Sequence, residues 1–283
     1  MKQPHVGLIV TGPATFKDFT LFVKSLELWH PDTQLFVFTD ADTEPAIKAL
    51  RFKGTIHTKV TLDHYKGLTR PQMEKIQGKS YATLWTDFMY EKTNVMEWML
   101  GTQKTPQGVW FMDADISHTG PLPDIPAGTQ LALCPHMIKA TDEAKYGKYN
   151  AGYLWLNDRN LLQLWRSYGQ TSRFFEQSAL EDLKHNVNPL AFYEFPIQVN
   201  FGWWRMLQSD VPMATIQAKF SLFRKDPGLG LRYDGKPLQS FHTHWYDDKA
   251  FESQMFRLWF DNFTKKFTSH KPIQQYRQWL GLQ

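Results

Sequence analysis

Apolar and polar positions change period several times along the chain, and the changes mark out its elements. "HVGLIVTG" (residues 5–12) is a short continuous apolar run that halts at Gly12-Pro13, the pattern of a buried β-strand. Phe16, Phe19, Phe22, Val23, Leu26 and Trp29 then recur at three- and four-residue spacing, one face of a helix. "TQLFVFTDAD" (33–42) is a second apolar run, ending in acids. Strand, helix and strand in that order predict a β-α-β unit, the start of a parallel sheet covered by helices.

Further on, "AIKALRFKG" reads as a short helix, "TIHTKVTL" as a weaker strand, and 66–78 as a polar loop. A long helix is predicted over 81–100, with Leu84, Trp85, Phe88, Met89, Val95, Met96 and Met99 as its apolar stripe and Gly101 as its stop. "GVWFMDADIS" (108–117), "TQLALCPHM" (129–137) and "NAGYLWLND" (150–158) are the next strands. Asn157 or Asp158 caps a helix to about residue 168, and another helix covers 172–184. "QAKFSLF" and "SFHTHWY" are late strands; an aromatic helix over 251–267 and a short one from Pro272 close the chain. With no repeat, low-complexity segment or linker, the pattern predicts one α/β domain with a C-terminal helical extension.

Composition narrows this picture. A chain of 283 residues buries a full core, and 15% aromatic content argues against disorder. The formal charge of +4 comes from interspersed residues, with no basic stripe, so nucleic-acid binding is not expected. The densest basic patch, "KKFTSHK" (265–271), reads as a solvated helix end, with an anionic substrate or membrane surface as the alternatives. Cys134 is the single cysteine, which excludes an intrachain disulfide and a cysteine zinc site and points to a reducing, cytoplasmic setting. The N-terminal apolar run is too short for a signal peptide, and no stretch reaches the roughly 18 apolar residues of a membrane span.

The candidate chemistry lies in "WFMDADI", where an apolar strand runs straight into two acids. In open α/β sheets ligands bind outside the carboxyl ends of the strands. On an extended segment Asp113 and Asp115 share a face. Paired carboxylates repel unless a cation or protons offset them, and Mg²⁺ or Mn²⁺ takes oxygen ligands and bridges to phosphates. The plainer alternative is a solvated turn.

Four further segments follow or precede that strand in a definite order: the long helix, then "KYNAGYLWLN", "FFEQSALEDL" and "FHTHW". Over roughly residues 6–245 this ordered set resembles the GT-A fold glycosyltransferases with an Asp-x-Asp motif, nearest to the glycogenin-like and lipopolysaccharide-galactosyltransferase-like families. The resemblance implies a Rossmann-like, mixed but mainly parallel central sheet flanked by helices. It implies a nucleotide-binding half (1–116), an acceptor and sugar half (117–248), and a helical extension (249–283). The implied activity is metal-dependent transfer of a sugar, expected to be a hexose, from a nucleotide-diphosphate-sugar donor to a hydroxyl of a glycan, lipid-linked or protein acceptor.

Carried over residue by residue, Asp113 and Asp115 ligate Mn²⁺ or Mg²⁺ against the diphosphate, and the metal stabilises the leaving group. His244 is the favoured third ligand, with His242 as the alternative on the same face. Thr11, Gly12, Asp40 and Ala114 approach the nucleotide, and Lys79 offsets phosphate charge. Asn150 and Gly152 form a wall near the sugar, where a missing side chain permits close approach. Gln177 faces the sugar, and Glu176, Glu181 or Asp182 is a general base if the reaction inverts. Two features depart from the family: Glu176-Gln177-Ser178 stands for Asp-Gln-Asp, and the late Gly-x-x-Lys-Pro-Trp is absent, leaving Lys249 as a poor substitute.

Rival readings are a haloacid-dehalogenase-like phosphatase with Asp113 as nucleophile, and a non-catalytic α/β cation-binding module. The phosphatase strand normally comes early and needs a later Gly-Asp-x-x-x-Asp. "TGPATFKDF" lacks the Gly-rich basic loop of a sugar nucleotidyltransferase. The C-terminal aromatics, Phe251, Phe256, Trp259, Phe260 and Trp279, serve core packing, an acceptor site or a homo-oligomer contact.

Overall fold

The computed structural model describes residues 3–102, 108–226, 228–247 and 249–282. The first unit forms as the apolar pattern predicts, from β1 (His5–Val10), α1 (Gly12–Glu27) and β2 (Gln34–Thr39). Next come α2 (Glu44–Ala49) and β3 (Thr55–Val60). The stretch over 66–78 is not all loop. It contains α3 (Arg70–Met73), opened by a capping box in which Thr69 and Gln72 satisfy each other's ends. A single capped turn carries too little periodicity to be read from pattern alone.

The long helix, α4 (Leu84–Thr102), starts later than the pattern suggests and passes through Gly101. Its start is set by Asp87, whose carboxylate accepts from the backbone N–H of Ser80 at 3.1 Å and Tyr81 at 2.9 Å. A glycine in a helix costs about 1 kcal/mol relative to alanine, which does not by itself end a helix packed along one face.

β4 (Val109–Met112), β5 (Ile116–His118), β6 (Leu131–Pro135), α5 (Ala140–Tyr146) and β7 (Tyr149–Leu156) follow. Asp158 caps α6 (Arg159–Tyr168) by accepting from Asn160 N at 2.9 Å. The helix expected over 172–184 is only α7 (Ala179–His185). Before it the chain turns, because the Ser178 hydroxyl accepts from Phe174 N at 3.0 Å and pairs with Ser172 at 2.6 Å. The remainder comprises β8 (Phe192–Glu194), β9 (Phe201–Gly202), α8 (Trp204–Leu207), α9 (Met213–Ala218), β10 (Phe220–Leu222), β11 (Leu231–Tyr233), β12 (Lys236–Pro237), β13 (Ser240–His242), α10 (Phe251–Thr264) and α11 (Lys271–Trp279).

The central sheet has the order β3-β2-β1-β4-β7-β6-β8. β1 is parallel to β2 and β4, β3 to β2 and β8 to β6, while β7 runs antiparallel to both β4 and β6. The chain winds outward from β1 to β3 and returns to β4 on the other side of β1. That reversal opens a crevice at the carboxyl ends of β1 and β4, where ligands bind in sheets of this kind.

Alternation along β4 feeds two cores. Val109 and Phe111 meet Val95, Met96 and Met99 of α4, whereas Trp110 and Met112 join Phe19, Phe22 and Leu26 of α1. Helix α4 lies hard on β1 because Gly7 has no side chain; a Cβ there would stand 2.5 Å from the Met99 methyl. A third core joins Phe201, Tyr233 and Phe241 to Phe256, Phe260 and Tyr276, so the C-terminal helices pack onto β9, β11 and β13. Among the described residues no helix is long and apolar enough to cross a membrane.

Candidate active site

β4 ends at Met112, and the two acids lie beyond it in a turn rather than on an extended segment. The turn closes through Ile116 N to Asp113 O at 3.3 Å, and β5 begins at once. β5 pairs antiparallel with β13 in the register Ile116 to His242. This pairing, between segments more than a hundred residues apart, delivers His242 to the acids. Its Nε2 lies 3.2 Å from Asp115 Oδ1 and 3.8 Å from Asp113 Oδ2. Asp113, Asp115 and His242 each present a ligand atom within 4.8 Å of the others.

His244 follows the end of β13 and also faces Asp115, with Nδ1 3.3 Å from Oδ2. It is not in the compact group; its side chain is 62% exposed and is shared with buried Asp18, whose Oδ2 is 3.9 Å away. Burial pushes the Asp115 carboxyl up, but the His242 and His244 imidazoles outweigh it and hold Asp115 well below the usual carboxylate range. Conversely Asp115, then Asp18, raise the His244 imidazole to about 10.

One site residue, Lys92, has no counterpart in the sequence reading. Lys92, in the middle of α4, is buried, and its Nζ lies 3.4 Å from Asp113 Oδ1 and 2.7 Å from Glu176 Oε1. Burial opposes its charge, yet the Asp113 and Glu176 carboxylates raise its pKa above the ordinary lysine value. Glu176, one of the three base candidates of the sequence reading, is equally buried and is the ion-pair partner of Lys92. With Lys92 on Oδ1, Asp113 turns Oδ2 toward His242.

Gly152 in β7 makes the room for this. A Cβ there would stand 2.2 Å from Asp113 Oδ2 and 2.5 Å from the His242 ring. Asp113 N donates to Gly152 O at 2.8 Å, which fixes the level of the turn against β7. Two carboxylates supply the hard oxygen ligands that suit Mg²⁺ or Mn²⁺, and the imidazole adds one borderline nitrogen that a first-row ion such as Mn²⁺ accepts. The missing Cβ at Gly152 lets the Asp113 carboxylate and the His242 ring come together, and with Asp115 they present three ligand atoms within 4.8 Å of one another, so the residues present fit such an ion.

Other expected residues carry different commitments. Gly12 N donates to Asp40 Oδ2 at 3.1 Å and to Thr43 Oγ1 at 2.8 Å, tying the ends of β1 and β2 together beside Thr11. Asp40 also accepts from Asp42 N, Thr43 N and the Thr43 hydroxyl. Burial resists its ionisation, but those donors hold its carboxyl below the usual range. Ala114 is buried inside the Asp-Ala-Asp turn. Lys79 donates its backbone N–H to Asp87, and its side chain lines a cavity of about 470 Å³ with His64, Tyr81 and Arg166. Gln177 spans Ala151 N at 3.4 Å and Tyr146 O at 2.9 Å. Glu181 is taken by Lys148 N at 2.8 Å and Arg173 at 2.7 Å, and Asp182 is exposed on α7. Lys249 donates its backbone N–H to Asp247 at 2.8 Å.

No protein-family profile matches the sequence, and no curated protein matches it. Among solved structures, the chain is similar to apo mouse xyloside xylosyltransferase 1, with a TM-score of 0.53 and 15% identity over 86% of this chain and 98% of that one. It is also similar to the apo WbbM bifunctional glycosyltransferase, with a TM-score of 0.52 and 9% identity over 98% of this chain and 51% of that one. This chain thus spans about half the length of WbbM. Identities this low bear on the fold alone: it is that of the GT-A-type glycosyltransferases, and the Asp113, Asp115 and His242 group stands at the carboxyl edge of its sheet.

Proposed function

We propose that the protein is a metal-dependent glycosyltransferase that moves a sugar from a nucleoside-diphosphate-sugar donor to a hydroxyl acceptor. The observation that carries this reading is the convergence of Asp113, Asp115 and His242 within 4.8 Å, at the carboxyl edge of a GT-A sheet. In the reaction, the bond from the anomeric carbon to the distal phosphate oxygen breaks, that oxygen keeping the electron pair, one to the acceptor oxygen forms, and the acceptor hydroxyl proton passes to the released diphosphate or to solvent. The chemistry a divalent ion supplies there is Lewis-acid stabilisation of the leaving diphosphate.

The chain's own residues do the rest. Asp113 Oδ2, Asp115 and His242 hold the ion, with His244 able to join through Asp115. Lys92 and Glu176 keep Asp113 oriented. Thr11 and Gly12 approach the nucleotide, and Asp40 acts by tying their loop to β2. The acceptor is a hydroxyl of a glycan, a lipid-linked or a protein substrate.

A thermal-shift panel of uridine and guanosine diphosphate-sugars tests the reading. It includes a pentosyl donor alongside hexosyl donors, because the mouse neighbour is a xylosyltransferase. Stabilisation that needs Mn²⁺ and disappears in Asp115→Ala is expected. Absence of any Mn²⁺-dependent nucleotide binding refutes it, and phosphomonoester hydrolysis abolished by Asp113→Asn replaces it with the phosphatase.

A further inference from the structure

We propose that Asn150 is a positioning residue for the metal site, locked by His136 and Asn200, and does not bind the transferred sugar. This rests on the reading of Asp113, Asp115 and His242 as cation ligands.

The amide of Asn150 is buried, and its oxygen is doubly committed. Oδ1 accepts from Gly152 N and from Asn200 Nδ2, each at 3.1 Å, which uses both lone pairs. Nδ2 faces His136 Nε2 at 3.4 Å. His136 is buried, and its Nδ1 lies 2.8 Å from Gly147 O, a group that can only accept. The Nδ1 atom therefore carries the proton. Burial lowers the imidazole pKa to about 4, so the ring is neutral and Nε2 offers a lone pair. Only the amide nitrogen of Asn150 satisfies that lone pair, which decides the direction of the amide and aims Oδ1 at Gly152.

The consequence is a local break in strand register. On β6, Leu133 pairs with Leu154 of β7, yet the next residue, Cys134, pairs with Asn150. Residues 151–153 therefore leave β6, while Tyr153 stays paired with Met112 of β4 and Gly152 O accepts from Asp113 N. The Asn150 tie to Gly152 N spans this bulge from one side and sets how close Gly152 comes to Asp113 and His242. The opposite wall converges on the same residue. The carbonyl of His136 accepts from Trp204 Nε1 at 3.3 Å, and the Trp204 ring meets His242 edge-on at 5.0 Å.

The test is Mn²⁺ alone, titrated by electron paramagnetic resonance into wild type, Asn150→Ala and Asn200→Ala. Loss of a group that supports metal ligands typically weakens metal binding about 10–100-fold, so Asn150→Ala is expected at about tenfold or more. Asn200→Ala removes one tie only and weakens binding less, in the same direction, which keeps the test decisive if Asn150→Ala fails to fold. Ile273→Ala in α11, a core truncation within the C-terminal helices, lowers the melting temperature but leaves Mn²⁺ affinity unchanged. Affinity within threefold of wild type in folded Asn150→Ala overturns the proposal and returns Asn150 to a substrate contact. No Mn²⁺ binding by wild type, or undiminished binding by Asp115→Ala, overturns the cation reading itself.

Discussion

Replacing Gly152 with alanine isolates the steric basis of the site. The backbone at Gly152 is in an ordinary region, so alanine brings no conformational strain there. What it brings is one methyl group 2.2 Å from Asp113 Oδ2, 2.5 Å from His242 Cε1 and 2.8 Å from Asp113 Cγ. Ordinary contacts begin near 3.4 Å, so either the methyl or both ligands must shift by about an ångström. Neither ligand can easily give way. Asp113 is tethered by Lys92 and by its own N–H, and His242 is a buried strand residue. Overpacking of this size costs about 1–3 kcal/mol, and the lower chain entropy of alanine when unfolded returns about 0.4–1 kcal/mol. The net is roughly 0.5–2 kcal/mol, or about 1–4 °C in melting temperature for a chain of this size. Metal binding should suffer more than stability, because a ligand displaced by an ångström leaves the geometry an ion demands. We expect Mn²⁺ affinity by calorimetric titration to fall at least tenfold. A Gly152→Ala protein that binds Mn²⁺ like wild type, with the methyl in place, would show that Asp113 Oδ2 and His242 do not share an ion.

Lys92→Met should destabilise the protein by about 3–5 kcal/mol in urea unfolding, because it leaves the Glu176 carboxylate buried without its cation; a loss below about 1 kcal/mol would contradict the ion-pair assignment. The pH dependence has a definite sign. The His244 pKa is raised to about 10 in the folded state, so its stabilisation is complete below about 6.5, its unfolded value, and is lost as pH rises through about 10. With the side chain 62% exposed, solvent screening keeps the effect small. The metal-free melting temperature should therefore decline more between pH 7 and 10 in wild type than in His244→Gln, and parallel curves would refute the coupling to Asp115 and Asp18.

Much of the fold was written in periodicity. The runs at 5–12 and 33–42 became β1 and β2, and the apolar first half of 108–117 became β4, since a strand buried on both faces must be apolar throughout; the rest of that run is the acidic turn and the start of β5. Elements whose identity depends on their neighbours were not readable. β5, β8, β9, β11 and β12 are two or three residues each, too short for a period to appear, and exist because a partner strand completes their hydrogen bonds. Residues 172–178 have helical spacing, but the Ser172 and Ser178 hydroxyls capture backbone and each other first.

The site divides along the same line. The sequence by itself determined that two acids end an apolar strand at a sheet edge, and that His242 and His244 stand two apart in a late segment; that they meet the acids was implied by the resemblance, and only His242 lies on β13. Which histidine completes the group was decided by the register of β13 on β5, a hydrogen-bonding choice between segments remote in sequence. Lys92 shows the same limit. A lysine inside a helix normally lies on the solvated face, and only the packing of α4 over β4 turns this one inward onto Asp113 and Glu176. Asn150, Asp40, Gln177 and Glu181 were legible as polar residues near a site. Tertiary structure alone decided that their hydrogen-bonding groups are already engaged, because a buried polar atom takes whichever partner the fold brings within reach.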